Sequence, residues 1–162
     1  VIGGKHLGFA GNVRRAWDAA LGEGSEWVFW IEDDFVFTEE IPFEDMQRVM
    51  EANPHLTQVV LKRQAWFPKE IAAGGIVEMN PDAYEEKTDG TSTWLEHQLG
   101  HWTNPHLVRR EFLATHEWPK VPNSERVFSD KTMRGDLRSA FWGGFDSPPM
   151  VTHDGERSGS GY

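Results

Sequence analysis

Three consecutive acidic residues, Glu32, Asp33 and Asp34, directly follow an apolar run and are the residues best suited to chemistry. Side chains two positions apart in an extended chain point to one side, so Glu32 and Asp34 can face the same point. Neighbouring carboxylates repel each other, and a divalent cation would offset that repulsion. Because the chain has no cysteine, any metal ligands must be oxygen or imidazole, which suits Mg²⁺ or Mn²⁺. The alternative is an acidic turn after a core strand, since short acidic runs are common on solvated faces.

The segment before the acidic run has the spacing of an amphipathic helix. Its apolar residues recur at i, i+3, i+4, i+7 and i+8, namely at Val13, Ala16, Trp17, Ala20 and Leu21. Asn12 suits the N-cap and Gly22 the position after the last turn. Gly8 and Gly11 predict a preceding loop whose backbone can approach a ligand closely.

The elements further along the chain alternate between helix and strand. An apolar run predicts a buried strand that ends near Ile31, a helix fills residues 43–53, and a second strand covers residues 57–61. Residues 72–93 predict a loop or small hairpin, and helices are expected over residues 104–115 and, capped by Ser124, over residues 125–133. This order predicts an α/β layered domain whose sheet is at least partly parallel.

Composition limits the class of protein. The 162 residues fit a single domain over residues 1–162, and the formal charge of −10 argues against nucleic acid as a partner. The longest apolar run is far too short to span a bilayer. The lack of cysteine is compatible with a reducing cytoplasm, which is the predicted location. Eight Trp and ten Phe fill a core or stack on sugar rings or a nucleobase.

The run GFAGNVRRAWDAALGEGSEWVFWIEDDFVF resembles the middle of a family 2 glycosyltransferase with the GT-A fold. The segment from Gly8 to Asn12 matches a glycine and asparagine element at a helix start, and the acidic run matches an Asp-x-Asp-type motif. The resemblance implies a divalent cation, Mn²⁺ or Mg²⁺, held on the diphosphate of a nucleotide-sugar donor. Asp34 would be the main metal ligand, and Glu32 and Asp33 would contact the donor.

Two later segments fit the same resemblance. NSERVFSDKTM is similar to the helix-starting motif that supplies the catalytic base, which places that role on Glu125 and makes Asp130 a weaker candidate. Alternatively, Glu125 only complements the helix N-terminus. MVTHDGERSGSGY resembles the region that brings a histidine to the metal and a basic side chain to the diphosphate. His153 would then be a metal ligand, and Arg157 would bind the diphosphate or simply pair with a surface acid.

The stretch HQLGHWTNPHLVRREF is a candidate for binding the acceptor. Trp102 offers a face for stacking, and Thr103 and Asn104 offer hydrogen bonds. The alternative is that Trp102 packs in the core and Asn104 caps a helix.

The resemblance therefore predicts a GT-A-like sheet with flanking helices and an inverting, metal-dependent transfer of a sugar to a hydroxyl group of a glycan, protein or small molecule. Members of that family normally begin with a strand, a helix and a strand, whereas this sequence starts at Val1, close to the Gly8 element. We therefore expect either a fragment or a reduced version, whose exposed sheet edge would favour a homo-oligomer. The alternatives are a carbohydrate-binding or scaffolding module without turnover and, less favoured, a metal-dependent phosphoryl hydrolase.

Overall fold

The structure is a computed structural model that describes residues 7–155. Its helices are α1 (Gly8–Gly22), α2 (Phe43–Ala52), α3 (Pro68–Ala73), α4 (Arg110–Thr115) and α5 (Ser124–Thr132), with a 3₁₀ turn at Pro81–Ala83. Its strands are β1 (Trp27–Trp30), β2 (Phe35–Phe37), β3 (Leu56–Val60), β4 (Glu85–Thr88), β5 (Thr93–His97), β6 (His106–Arg109), β7 (Arg138–Trp142) and β8 (Val151–His153).

Six of the described strands form one sheet in the order β1-β6-β3-β7-β5-β4. Only β3 and β7 pair in parallel, and every other neighbouring pair is antiparallel. Strands β2 and β8 form a separate antiparallel pair. The protein is therefore mixed α/β with a mostly antiparallel sheet, and the predicted parallel component is limited to one pair.

The sheet lies between two helical layers because its strands alternate their apolar side chains. In β6, Leu107 packs with the α2 residues Met46, Val49 and Met50, whereas the next residue, Val108, packs on the opposite face. That opposite face carries α1, α4 and α5. The period of two along each strand thus distributes apolar side chains to both layers, as expected for a sheet covered on both sides.

Several predicted elements are confirmed. The strand that ends near Ile31 is β1, the helix over residues 43–53 is α2, and the strand over residues 57–61 is β3. The predicted hairpin in residues 72–93 is β4 with the start of β5, joined by a turn in which Gly90 has a φ of 87° and the Asp89 carboxylate accepts N–H bonds from Thr91 and Ser92.

Several local predictions are wrong. Gly22 is the last residue of α1 and not the position after it, and Ser124 is the first residue of α5, whose N-cap is Asn123. Helix α1 begins at Gly8 and not after Asn12, which lies within the helix and is not its cap. Tertiary packing explains the extension, because Phe9 and Ala10 pack against the apolar cluster under α1. The helix predicted over residues 104–115 is instead strand β6 followed by the short α4. Strand β6 pairs with both β1 and β3 inside the sheet. This pairing outweighs the local preference of Asn104 and Pro105 for starting a helix.

No helix within residues 7–155 is long and apolar enough to cross a membrane.

Three aromatic rings pack together in the layer under α1. Removal of the central ring tests how much this packing stabilises the protein. Phe128 is 1% exposed, and its ring centroid lies 5.3 Å from that of Trp17 and 4.6 Å from that of Trp118. We expect Phe128→Ala to lower the free energy of unfolding by about 3–5 kcal/mol, because it leaves a cavity that the packed rings cannot fill. Urea unfolding followed by tryptophan fluorescence measures this change.

The matched control is Ile71→Ala, which removes an apolar side chain that is 63% exposed. A loss of no more than about 0.5 kcal/mol is expected there. Equal losses in the two variants would show that the ring cluster does not stabilise this layer.

Candidate functional site

A cleft of about 250 Å³ opens where the ends of several strands meet the start of α5, and we call it the acidic cleft. It is lined by Phe9, Glu32, Asp34, Phe35, Arg63, Trp66, Phe67, Trp102, Thr103, Asn104, Glu125 and His153. These residues come from the start of α1, the turn after β1, the start of β2, the loop after β3, the connection between β5 and β6, the first turn of α5 and the end of β8. Segments far apart in sequence therefore supply the predicted acids and the predicted histidine to one site.

Asp34 and His153 lie side by side because β2 pairs with β8. Phe35 and His153 are direct partners in that pair, so the residue before Phe35 lies next to the imidazole. The His153 Nε2 atom lies 3.1 Å from Asp34 Oδ2. The Gln64 side chain accepts the His153 backbone N–H at 2.9 Å and donates to its carbonyl at 3.1 Å. Backbone pairing and a side-chain clamp thus hold the two groups together.

Glu32 is a half-buried carboxyl group beside another acid. Burial and, to a smaller extent, the charge of Asp34 raise the pKa of Glu32 to about 7, and hydrogen bonds with the side chains of Thr103 and Trp30 oppose the rise. The alternation expected from the sequence is retained in effect, because Glu32 and Asp34 both line the acidic cleft while Asp33 between them is exposed. Residues 32–34 lie in the connection between β1 and β2 and not in a strand.

Glu125 faces these acids from the first turn of α5. Its Oε1 accepts hydrogen bonds from the backbone N–H of Thr103 at 3.3 Å and from the Thr103 hydroxyl at 3.2 Å. Burial raises the pKa of Glu125, and the hydrogen bonds from Thr103 and the charge of Arg63 oppose that rise. Glu125 is therefore oriented by a neighbour and disposed to accept a proton.

Arg63 is the cation of the acidic cleft. Its guanidinium donates to both carboxylate oxygens of Glu70, at 2.7 and 3.0 Å, and lies 5.5 Å from the centre of the Phe67 ring. Burial alone would raise the pKa of Glu70, but the Arg63 hydrogen bonds and the N–H groups of Trp66 and Phe67 outweigh it and lower the pKa. The pair fixes the loop that presents Trp66 and Phe67 to the cleft.

Our sequence reasoning missed Arg63, Trp66 and Phe67. A usable signal was present, because KRQAWFP follows a buried strand and side chains after strand ends form binding sites in layered sheets. Trp66 packs edge-on against His153, with 4.4 Å between the ring centroids.

Unpartnered polar atoms concentrate in the acidic cleft. Within residues 7–155, seven buried side-chain nitrogen or oxygen atoms lack a hydrogen-bond partner. Four of them belong to cleft residues: Glu32 Oε1, Asp34 Oδ1, Asn104 Nδ2 and His153 Nδ1. A buried polar atom without a partner is costly, by about 1–3 kcal/mol, and such groups gather where a ligand completes the hydrogen bonding.

The donor atoms in the cleft fit Mg²⁺ or Mn²⁺ in chemical type but do not form a complete protein cage. Asp34 supplies carboxylate oxygen and His153 imidazole nitrogen, whereas no group of three His, Cys, Asp or Glu side chains among the described residues is arranged to hold an ion. Magnesium usually binds through one or two carboxylates together with waters and substrate phosphates. The pair therefore suits a cation that arrives with a phosphate-bearing ligand.

Three of the predicted donor-binding residues lie outside the acidic cleft. Asn12 and Asp33 are exposed and do not line it, and Gly8 lines a different groove beside α1. Arg157 lies outside the described residues.

The two predicted acceptor residues both line the acidic cleft. The Trp102 indole N–H donates to His97 Nε2 at 3.2 Å, and its ring packs near that of Phe141, so Trp102 is at once part of the core and part of the cleft. The alternative in which Asn104 caps a helix is wrong, because strand β6 follows it.

Comparison with family models, with curated proteins and with solved structures finds no match for this chain. The geometry and chemistry of the acidic cleft are therefore the basis for inferring a function.

The raised pKa of Glu32 predicts how stability depends on pH. Between its ordinary value of 4.5 and its folded value of about 7, the unfolded chain has released the proton that the folded chain still holds. Stability therefore falls as pH rises through this window. We expect Glu32→Gln to stabilise the protein by about 1–2 kcal/mol above pH 7 and to have little effect below pH 4.5.

Urea unfolding at both ends of this pH window measures the difference. Asp33→Asn is the control, because it removes a neighbouring but exposed acid and should change the free energy of unfolding by less than about 0.5 kcal/mol. A Glu32→Gln effect that is the same at both ends would contradict the assignment of a buried, protonated Glu32.

Proposed function

We propose that this protein is a metal-dependent glycosyltransferase that moves a sugar from a nucleotide-diphosphate donor to a hydroxyl acceptor. The observation that carries the proposal is that Glu32, Asp34, Glu125 and His153, expected from the sequence to act together, line one cleft. That cleft also holds most of the unpartnered buried polar atoms among the described residues. The GT-A-like arrangement of the whole sheet is part of the same proposal.

Glu125 is the proposed base. The acceptor hydroxyl gives its proton to the Glu125 carboxylate while its oxygen forms a bond to the anomeric carbon. The bond between that carbon and the diphosphate oxygen breaks, and its electron pair leaves with the diphosphate, which inverts the anomeric configuration. A raised pKa strengthens the carboxylate as a base, and the two hydrogen bonds from Thr103 hold Oε1 in place.

Asp34 and His153 are the proposed holders of the cation. Such a cation, Mn²⁺ or Mg²⁺, supplies electrostatic stabilisation of the leaving diphosphate when bound. The Gln64 side chain holds the backbone of His153 through two hydrogen bonds and so helps to position the residue without a bound donor. Preorganisation of this kind lowers the cost of assembling the site.

The aromatic side chains suit a sugar ring. Trp66, Phe67 and Trp102 are partly exposed and line the same cleft as the acids. Aromatic faces pack against the apolar faces of sugars, and the neighbouring polar atoms of Asn104 and Glu32 can bind hydroxyl groups. The combination of rings and carboxylates supports a sugar as the transferred group.

Joint binding of donor and cation tests the proposal. A thermal-shift screen with UDP-, GDP- and dTDP-sugars, each with and without Mn²⁺, should identify a donor whose stabilisation requires the cation. Asp34→Ala should abolish that joint stabilisation because it removes a proposed ligand. Asp82→Ala, which removes an exposed acid far from the cleft, should retain it. Unchanged donor binding in Asp34→Ala would reject the metal assignment.

Removal of the base separates binding from chemistry. With the donor found by the screen, we expect Glu125→Gln to lower the rate of sugar transfer or donor hydrolysis by about 10²- to 10⁴-fold. The Mn²⁺-dependent thermal shift should persist, because the amide keeps the size of the side chain. A Glu125→Gln variant with normal turnover would assign Glu125 to the helix N-terminus only.

A second candidate is a carbohydrate-binding module without turnover. The partly exposed rings of the cleft and the lack of a three-residue metal cage among the described residues favour it. It predicts glycan binding that is unchanged by a chelator, whereas the transferase predicts donor binding that the chelator removes.

A further inference from the structure

A second and larger cavity is also lined by Glu125. It encloses about 740 Å³ between the first half of α1 and the loop that leads into α5. Four basic side chains line it, and we call it the basic groove: Arg14, Arg15, Lys120 and Arg126. Two acids, Asp18 and Glu125, also line it. The groove is a local excess of positive charge in a chain whose net charge is −10.

Two of the four basic groups have no anionic partner within the described part of the chain. Arg14 is committed to Glu117 by an ion pair and donates to the Trp118 carbonyl. Arg126 lies 3.9 Å from Asp130 in a solvent-exposed pair, which contributes little. Arg15 and Lys120, by contrast, make neither an ion pair nor a side-chain hydrogen bond with residues 7–155. Their charges are therefore available to an anion in the groove.

Glu125 lines both the basic groove and the acidic cleft, and Phe9 is the other residue that the two spaces share. If Glu125 is the base, the acceptor hydroxyl must reach it while the donor occupies the cleft that holds Asp34 and His153. Two further cavities border Glu125, and the basic groove is the larger of them, at about 740 Å³ against about 340 Å³. Its size and its positive charge favour the basic groove for the rest of an anionic acceptor molecule.

We propose that the basic groove binds the anionic group, phosphate or carboxylate, of the hydroxyl acceptor. This inference rests on the proposed function, because it takes Glu125 as the base. Arg15 and Lys120 are the residues that would contact the anion. Neutral hydroxyl compounds of the same size lack the charge that these side chains select.

The experiment uses glycerol 1-phosphate as the anionic probe and glycerol as its neutral counterpart. Each is titrated into the ¹⁵N-labelled chain without donor or divalent cation, and amide shifts are followed by NMR. We expect glycerol 1-phosphate to shift the amides of residues 120–126 and of the start of α1 in the millimolar range, whereas glycerol should not.

Matched variants locate the contact. Arg15→Gln and Lys120→Gln should each weaken binding of glycerol 1-phosphate about tenfold. Lys69→Gln removes an exposed cation of α3 outside the groove and should leave the affinity unchanged. Because Lys120 is exposed in a loop, its substitution should not disturb folding, so a loss of binding in that variant reports the contact itself.

Three results would overturn the inference. One is equal binding of the phosphate and of glycerol, or no binding of either. Another is an affinity that neither variant lowers. The third is loss of Mn²⁺-dependent donor binding in Arg15→Gln or Lys120→Gln, which would assign the groove to the diphosphate of the donor. Failure of the proposed function would be visible elsewhere, in the donor screen with Asp34→Ala, because the probe titration contains neither donor nor cation.

Discussion

The antiparallel pairing of β2 with β8 is the interaction on which the candidate site depends. It joins residues more than a hundred positions apart and brings the His153 imidazole to the Asp34 carboxylate. Without it, the acidic turn after β1 would be one more solvated loop. The Gln64 clamp and the contact between Trp66 and His153 secure the pairing from the loop after β3. The pairing of these two short strands therefore makes the acidic run part of the lining of a cleft.

This arrangement buries charged groups, which lowers the stability of the fold. The surrounding residues offset only part of that loss. The Arg63 and Glu70 pair is fully engaged, with two short hydrogen bonds between the charged groups. Among the described residues, Glu32 has no cationic partner, and burial raises its pKa to about 7. A fold that retains a half-buried carboxyl group without a cationic partner gives up stability at that position. Such local losses are typical of binding and catalytic sites, where the ligand supplies the missing partner.

Glu125 lines two spaces of unlike chemistry. One holds Asp34, Glu32 and His153 with partly exposed aromatic rings, and the other is the basic groove. In the transferase that we propose, the carboxylate that both spaces share is the proton acceptor. The start of α5, fixed by packing of Phe128 against Trp17 and Trp118, sets this position.

The sequence by itself determined the elements whose signals are local. The apolar run of β1 and the apolar stripe of α2 were predictable, because burial of one or both faces of an element produces a regular spacing of its apolar residues. Only tertiary structure decided the helical start at Gly8, the strand β6 in place of a helix, and the approach of Arg63 and Trp66 to the cleft. Those outcomes depend on what each segment packs against, and that is a property of distant residues which no local pattern records.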